Sequence, residues 1–128
     1  MKLLLDSHAF IWWSSEPEKL SSLARAHCED RNNILLLSVA SVWEMQIKQQ
    51  LGKLQLVAPL RTLIENQQRN NDLQILRIEI EHALALDTLP LHHKDPFDRM
   101  LIAQANAEEL FIMSKDEIFK AYSVKLLW

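Results

Sequence analysis

Short, nearly unbroken apolar runs take turns along this chain with longer stretches in which apolar residues return every three or four positions. The runs at 2–6, 34–37, 73–76, 110–113 and 124–127 have strand length, and the one at 34–37, Ile-Leu-Leu-Leu, contains no polar residue. A strand that is apolar on both faces belongs in a parallel sheet covered on each side. Leu20, Leu23, Ala24 and His27 recur at helical spacing, which predicts a helix over about 20–30. Ser38 is placed to cap a second helix that carries Val39, Val42, Trp43, Met45 and Ile47 and stops near Gly52. Pro59 opens a third helix with Leu60, Leu63 and Ile64 on one face, and another covers 78–86. Asp95-Pro96-Phe97-Asp98 has the grammar of a helix start, with Asp95 as N-cap, Pro96 at the first helical position and Asp98 in the first turn. That helix is expected to run to about Glu108, and 116–120 reads as a short helical turn. The segment through Trp12 and Trp13 is too rich in large apolar residues to be a solvated loop.

Strands and helices in this alternation predict an α/β fold of three layers, a central parallel sheet with helices on both faces and right-handed crossovers. In such sheets ligands bind beyond the carboxyl ends of the strands. With 128 residues, 48% hydrophobic and 24% charged, a single globular domain over 1–128 is expected. One glycine, Gly52, excludes the glycine-rich loops that cradle nucleotide phosphates. One cysteine, Cys28, excludes an internal disulfide and a multi-thiolate metal site, which fits a reducing cytoplasm. Asp6 and His8 interrupt the first apolar run before it reaches signal-peptide length, and no run approaches the ~20 residues that span a bilayer, so no membrane association is expected. A net charge of −3 argues against a broad basic surface, so any binding to nucleic acid has to use a local basic rim or a bound cation.

Four acids are candidates for that cation. Asp6 ends the first strand, Asp116 follows the strand at 110–113, Glu44 stands in the helix that leaves the second strand, and Asp98 opens the long helix before the fourth. Carboxylates gathered in one crevice repel each other unless a cation neutralises them, and hard oxygen donors suit Mg2+ or Mn2+. Such an ion binds a phosphodiester and lowers the pKa of a water for in-line attack. Each acid also has a plainer role open to it. Asp98 can serve the helix dipole, Ser114 and Glu117 can form a capping box with Asp116 as bystander, and Glu44 can be solvated. Asp6 has no evident partner in the local sequence.

The blocks Asp6-Ser-His-Ala-Phe-Ile-Trp-Trp13, Ser38-Val-Ala-Ser-Val-Trp-Glu44 with Lys48 and Gly52-Lys53, and Leu89-Pro-Leu-His-His-Lys-Asp-Pro-Phe-Asp-Arg99 with Ile102 to Ala105 resemble the PIN-domain toxins of the VapC type. Ser114-Lys-Asp116, Phe119, Tyr122 and Leu127-Trp128 continue the resemblance, which covers nearly the whole chain in order. It implies a PIN-like fold and a ribonuclease toxin of a type II toxin–antitoxin pair, with Mg2+ or Mn2+ on Asp6, Asp98 and Glu44 and, more loosely, on Asp116. It further implies supporting roles for the hydroxyls of Ser7 and Ser114, a homodimer, and a small cognate antitoxin that blocks the crevice. Trp12 and Trp13 are candidate anchors for a partner or core residues.

Other residues leave alternatives open. Arg99 either touches a substrate phosphate or pairs with an acid such as Asp95. His92 and His93 are adjacent on a loop and should diverge, so contacts that order the loop or touch RNA are expected rather than metal ligation. Lys48, Lys53, Lys94 and Lys115 are mostly solvated charges, some of which can form the basic rim. Two other functions compete with the nuclease: a PIN-like binding module without activity, and a phosphatase-like domain with Asp6 as nucleophile. The second of these wants an acid two residues after Asp6, where His8 stands.

Overall fold

The computed structural model describes residues 1–128. Strands β1 (Lys2–Leu5), β2 (Ile34–Ser38), β3 (Gln74–Leu76), β4 (Phe111–Met113) and β5 (Lys125–Leu127) form one sheet in the order β3-β2-β1-β4-β5, with every pairing parallel. Six helices accompany them: α1 (Ser7–Ser15), α2 (Ser22–Glu29), α3 (Val39–Gln50), α4 (Leu60–Asn71), α5 (Ile80–Ala85) and α6 (Pro96–Glu108). Helices cover both faces of the sheet, which is the three-layer α/β/α arrangement expected from the sequence.

Pleating divides the core between the two faces. Leu3, Leu5, Leu35 and Leu37 point toward α1, α2, α3 and α4 and pack with Phe10, Ala24, Met45, Leu60 and Leu63. Leu4, Leu36 and Ile112 point the other way and pack with Leu101, Ile102 and Ala105 of α6 and with Phe119. Each of these leucines contributes about 1.5–3 kcal/mol by leaving water. The helix ends follow local chemistry. Ser21 and Ser38 accept backbone N–H groups as N-caps, and Asp95 accepts from both Phe97 and Asp98. Gly52, just past α3, has a φ of 71°, a left-handed conformation that costs glycine nothing.

One α-helix had no predicted counterpart. The residues after Asp6 form α1, although Ala9, Phe10, Ile11, Trp12 and Trp13 follow one another with no polar residue between them. An apolar run without polar breaks shows no helical period, and here Ala9 and Phe10 are buried while Ile11 to Trp13 are half-buried. Elsewhere the boundaries shift by a residue or two, and 86–88 is a 3-10 turn that extends α5.

The order in which strands are added reverses between β1 and β4. Chain growth runs outward from β1 through β2 to β3, then returns across the sheet to β4 and β5. Loops leaving the carboxyl ends of β1 and β4 therefore diverge and open a crevice. Asp6 follows β1 directly, and Ser114 and Asp116 follow β4. The Asp6 N–H donates to the Met113 carbonyl at 3.2 Å, which locks the two strand ends together.

Candidate active site

The crevice at this reversal has a volume of about 190 Å³ and a wholly polar lining: Asp6, Ser7, His8, Glu44, Lys48, His93, Asp95, Asp98 and Asp116. The four acids singled out in the sequence thus line one hollow, although they come from the start of α1, the middle of α3, the start of α6 and the loop after β4.

Asp6 is buried and is the N-cap of α1, with Oδ1 accepting the Ala9 N–H at 2.8 Å. The local partner that the sequence did not reveal is therefore the helix that its own side chain starts. Burial pushes its carboxyl above the ordinary range, against hydrogen bonds from Ser114 and Ala9 that favour the charged form. Ser114 links two of the acids, since its hydroxyl serves Asp6 while its oxygen accepts the Asp116 N–H at 3.0 Å.

Glu44 is buried, which rules out the solvated reading. Ser7 Oγ donates to its Oε1 at 2.6 Å, and Lys48 Nζ donates to its Oε2 at 3.0 Å. Lys48 lies one helical turn after Glu44, an i,i+4 spacing that favours the pair. Lys53, Lys94 and Lys115 are exposed.

Asp98 sits in the first turn of α6 with its side chain 18% exposed, and its Oδ2 lies 2.8 Å from His93 Nε2. Burial raises its carboxyl to about 6, with Asp95 and Glu44 adding repulsion and His93 opposing the rise. The adjacent histidines do diverge. His92 packs edge-on against Tyr122 at 5.2 Å, but His93 reaches the acids, and its side chain together with those of Asp95 and Asp98 brings ligand-type atoms within 4.8 Å of one another. Within that trio Asp95 Oδ1 is engaged as the cap of α6. No spacing rule finds His93, because its approach depends on the path of the loop before α6.

Two of the readings left open by the sequence are narrowed. Arg99 makes neither a pair with Asp95 nor a contact in the crevice. Its guanidinium donates to the carbonyls of Pro90 at 2.8 Å, Leu89 at 3.2 Å, and His93 and Leu86 at 3.5 Å, and to Tyr122 Oη at 3.2 Å. A planar group with five donors suits such a set of carbonyls, and here it pins the loop that delivers His93. Asp116 is exposed and is itself the cap of the 3-10 turn at 117–121, accepting the Ile118 N–H at 3.0 Å, so the capping box with Ser114 as its cap does not form.

The donor set fits a hard divalent cation. The buried carboxyls of Asp6 and Glu44, the half-buried one of Asp98 and the exposed one of Asp116 are oxygen donors in a wholly polar hollow, and a cation there would offset the desolvation that raises the pKa values of Asp6 and Asp98. Cys28 takes no part; it is buried beside Met113, and burial pushes its thiol up to about 12, so it stays protonated.

A parallel sheet with acids gathered at its reversal point defines a class of α/β proteins that act on ligands at that edge. The PIN domain family model matches residues 3–125, and the chain belongs to the PIN-domain family. Its sequence is 27% identical over 121 residues to Ribonuclease VapC22 of Mycobacterium tuberculosis, an alignment covering 94% of this chain and 91% of that protein. The fold is similar to that in the crystal structure of VapBC2 from Rickettsia felis bound to a promoter DNA fragment (TM-score 0.75, 14% identity, 99% and 98% of the two chains). It is also similar to that in DNA-bound VapBC from Salmonella typhimurium (TM-score 0.71, 15% identity, 99% and 97%). No helix is long and apolar enough to cross a membrane.

Proposed function

We propose that this protein is the toxin of a type II toxin–antitoxin pair and an endoribonuclease that hydrolyses RNA phosphodiesters in the presence of Mg2+ or Mn2+. The observation that carries this reading is the meeting of Asp6, Glu44 and Asp98, distant in sequence, in one polar crevice at the sheet's reversal point. The likeness to a named VapC ribonuclease supports the reaction class, and the likeness to VapBC complexes supports the antitoxin partner.

Asp6 and Asp98 would hold the ion from opposite walls, with Asp116 a looser contact from the rim. When bound, the ion supplies positive charge against the phosphodiester and a lowered pKa for the attacking water. Glu44 orients that water. Ser7 and Lys48 each occupy one of its oxygens, which fixes the carboxylate plane. Ser114 holds Asp6 in place, and His93 holds Asp98. The acidic chain then engages RNA through the cation and the lysines at the crevice edge rather than through a basic face.

A homodimer in the cytoplasm, neutralised by a small antitoxin that covers the crevice, completes the reading. The exposed Ile80 and Leu84 of α5, with Leu91 beyond it, offer an apolar surface for the second copy. Cleavage of an RNA panel by the purified protein with Mg2+, Mn2+ or EDTA is the test. Metal-dependent cleavage that disappears in Asp6→Asn is expected. No cleavage with either metal would favour the alternative, a PIN-like module that acts only through protein contacts.

A further inference from the structure

Next to the acidic crevice, and sharing Asp116 with it, lies a second hollow of about 330 Å³ whose lining includes Ser114, Lys115, Lys120, Leu126 and Trp128. Its character differs from that of its neighbour. The crevice places five acids against one lysine, whereas here Lys115 and Lys120 balance Asp116 and Glu117. Lys120 is paired with Glu117 at 3.0 Å, but both side chains are well exposed, and such a surface pair is weak enough to exchange for another anion.

An aromatic row joins the two hollows. His8, which lines the crevice, lies over Trp12 with ring centroids 5.5 Å apart and planes inclined by 30°. Trp12 meets Trp128, which lines the second hollow, at 5.7 Å. Lys115 Nζ stands 6.0 Å from the Trp12 ring. Both tryptophans rest against the core on one side and stay half-buried, so their rings are held in place while part of their surface meets solvent. Fixed aromatic faces beside cationic groups are the means by which proteins bind unpaired nucleotides: bases stack on the rings and phosphates meet the cations.

We infer that this second hollow is the subsite for an unpaired nucleotide flanking the cleaved bond, its base stacked on Trp128 and its phosphate held by Lys115 and Lys120. The inference rests on the ribonuclease reading for its substrate. A base inside a duplex has no free face for the ring, so the subsite takes an unpaired nucleotide.

The test is fluorescence anisotropy of a labelled single-stranded hexaribonucleotide with the full chain, Ca2+ replacing Mg2+ so that binding is read without turnover. Trp128→Ala should weaken binding roughly tenfold, and Trp128→Phe should stay within about twofold of the parent because a stacking face remains. The same hexamer annealed to its complement should bind more weakly. Unchanged affinity in Trp128→Ala, or equal binding of the duplex, overturns the proposal. If Trp128→Ala melts well below the parent, Lys115→Glu carries the test: reduced affinity supports the subsite and unchanged affinity overturns it. Retained RNA affinity with lost affinity for a protein partner marks a protein contact and likewise overturns it. A protein that binds the hexamer through Trp128 yet cleaves no RNA with Mg2+ or Mn2+ keeps the subsite and loses the ribonuclease reading. Cleavage together with Trp128-independent binding does the reverse.

Discussion

The two walls of the crevice are built differently. On one, Asp6 and Glu44 are buried, hang from the end of β1 and the body of α3, and are fixed by Ser7, Lys48 and the Ala9 N–H on α1 and α3 and by Ser114 just past β4. On the other, Asp98 is more exposed, and its partner His93 comes from a loop without regular structure that Arg99 ties down carbonyl by carbonyl. The first wall is set by the core, since moving Asp6 means moving β1 against β4. The second is set by one cation's hydrogen bonds, so it is where small changes should be felt in function before they are felt in the fold.

The largest effect expected is the loss of either metal-holding acid. Asp6→Asn or Asp98→Asn should lower RNA cleavage by at least about a hundredfold while the circular dichroism spectrum is retained, because several kcal/mol of transition-state stabilisation depends on the ion. Cleavage by either variant at the parent rate removes it from the site.

Arg99→Ala separates the walls. It strands several carbonyls and should destabilise the protein by about 1–3 kcal/mol in a denaturant titration. It should also weaken metal binding through His93 and Asp98. A stability loss with metal affinity unchanged means that the loop does not serve the second wall.

Acidity distinguishes the walls further. Asp98 ionises at about 6 in the fold against an ordinary value of 3.8, so the folded state holds this proton more tightly than the unfolded chain does. The associated stability is complete below 3.8 and is lost as the pH rises through about 6, by up to ~3 kcal/mol at about 1.4 kcal/mol per unit. The metal-free Asp98→Asn variant should therefore melt above the parent at pH 8 and level with it at pH 4. Equal melting at both values contradicts burial as the source of the shift. Over the same range, metal affinity should fall as the pH drops below about 6, because protons compete for Asp98.

The smallest effects belong to the supporting groups. Ser7→Ala frees one oxygen of Glu44 and should reduce metal affinity or activity by roughly 10-fold. Asp116→Asn, at an exposed position, should cost less than Asp6→Asn in the same cleavage assay. A loss equal to that of Asp6→Asn moves Asp116 to the centre of the site.

The same division governs what could be read from the residues. Strands, and helices with one apolar face, announced themselves through period and caps, and Asp95-Pro96 marked the start of α6 to the residue. The helix α1 did not, because an apolar run without polar breaks has no period to detect, and with it went the identity of Asp6 as a cap. Asp6 and Asp98 were legible as candidates from a strand end and a helix start, Glu44 from its place beside Trp43 on an otherwise apolar stretch of helix, and the family motifs ordered them. The second wall was not legible. The contact of His93 with Asp98 and the carbonyl cradle of Arg99 depend on how the residues between α5 and α6 fold back, and no local spacing encodes that path. Asp116 lay between these cases: a capping role was foreseen nearby, but the residue that caps is Asp116 itself.

Direct titration of Mn2+ into the parent, Asp6→Asn and Asp98→Asn, followed by electron paramagnetic resonance of the free ion, asks whether the two walls close on one cation. The parent should bind Mn2+ at neutral pH, and each variant should lose at least about tenfold in affinity. Binding that survives both substitutions undiminished contradicts the proposed metal site and the reaction built on it.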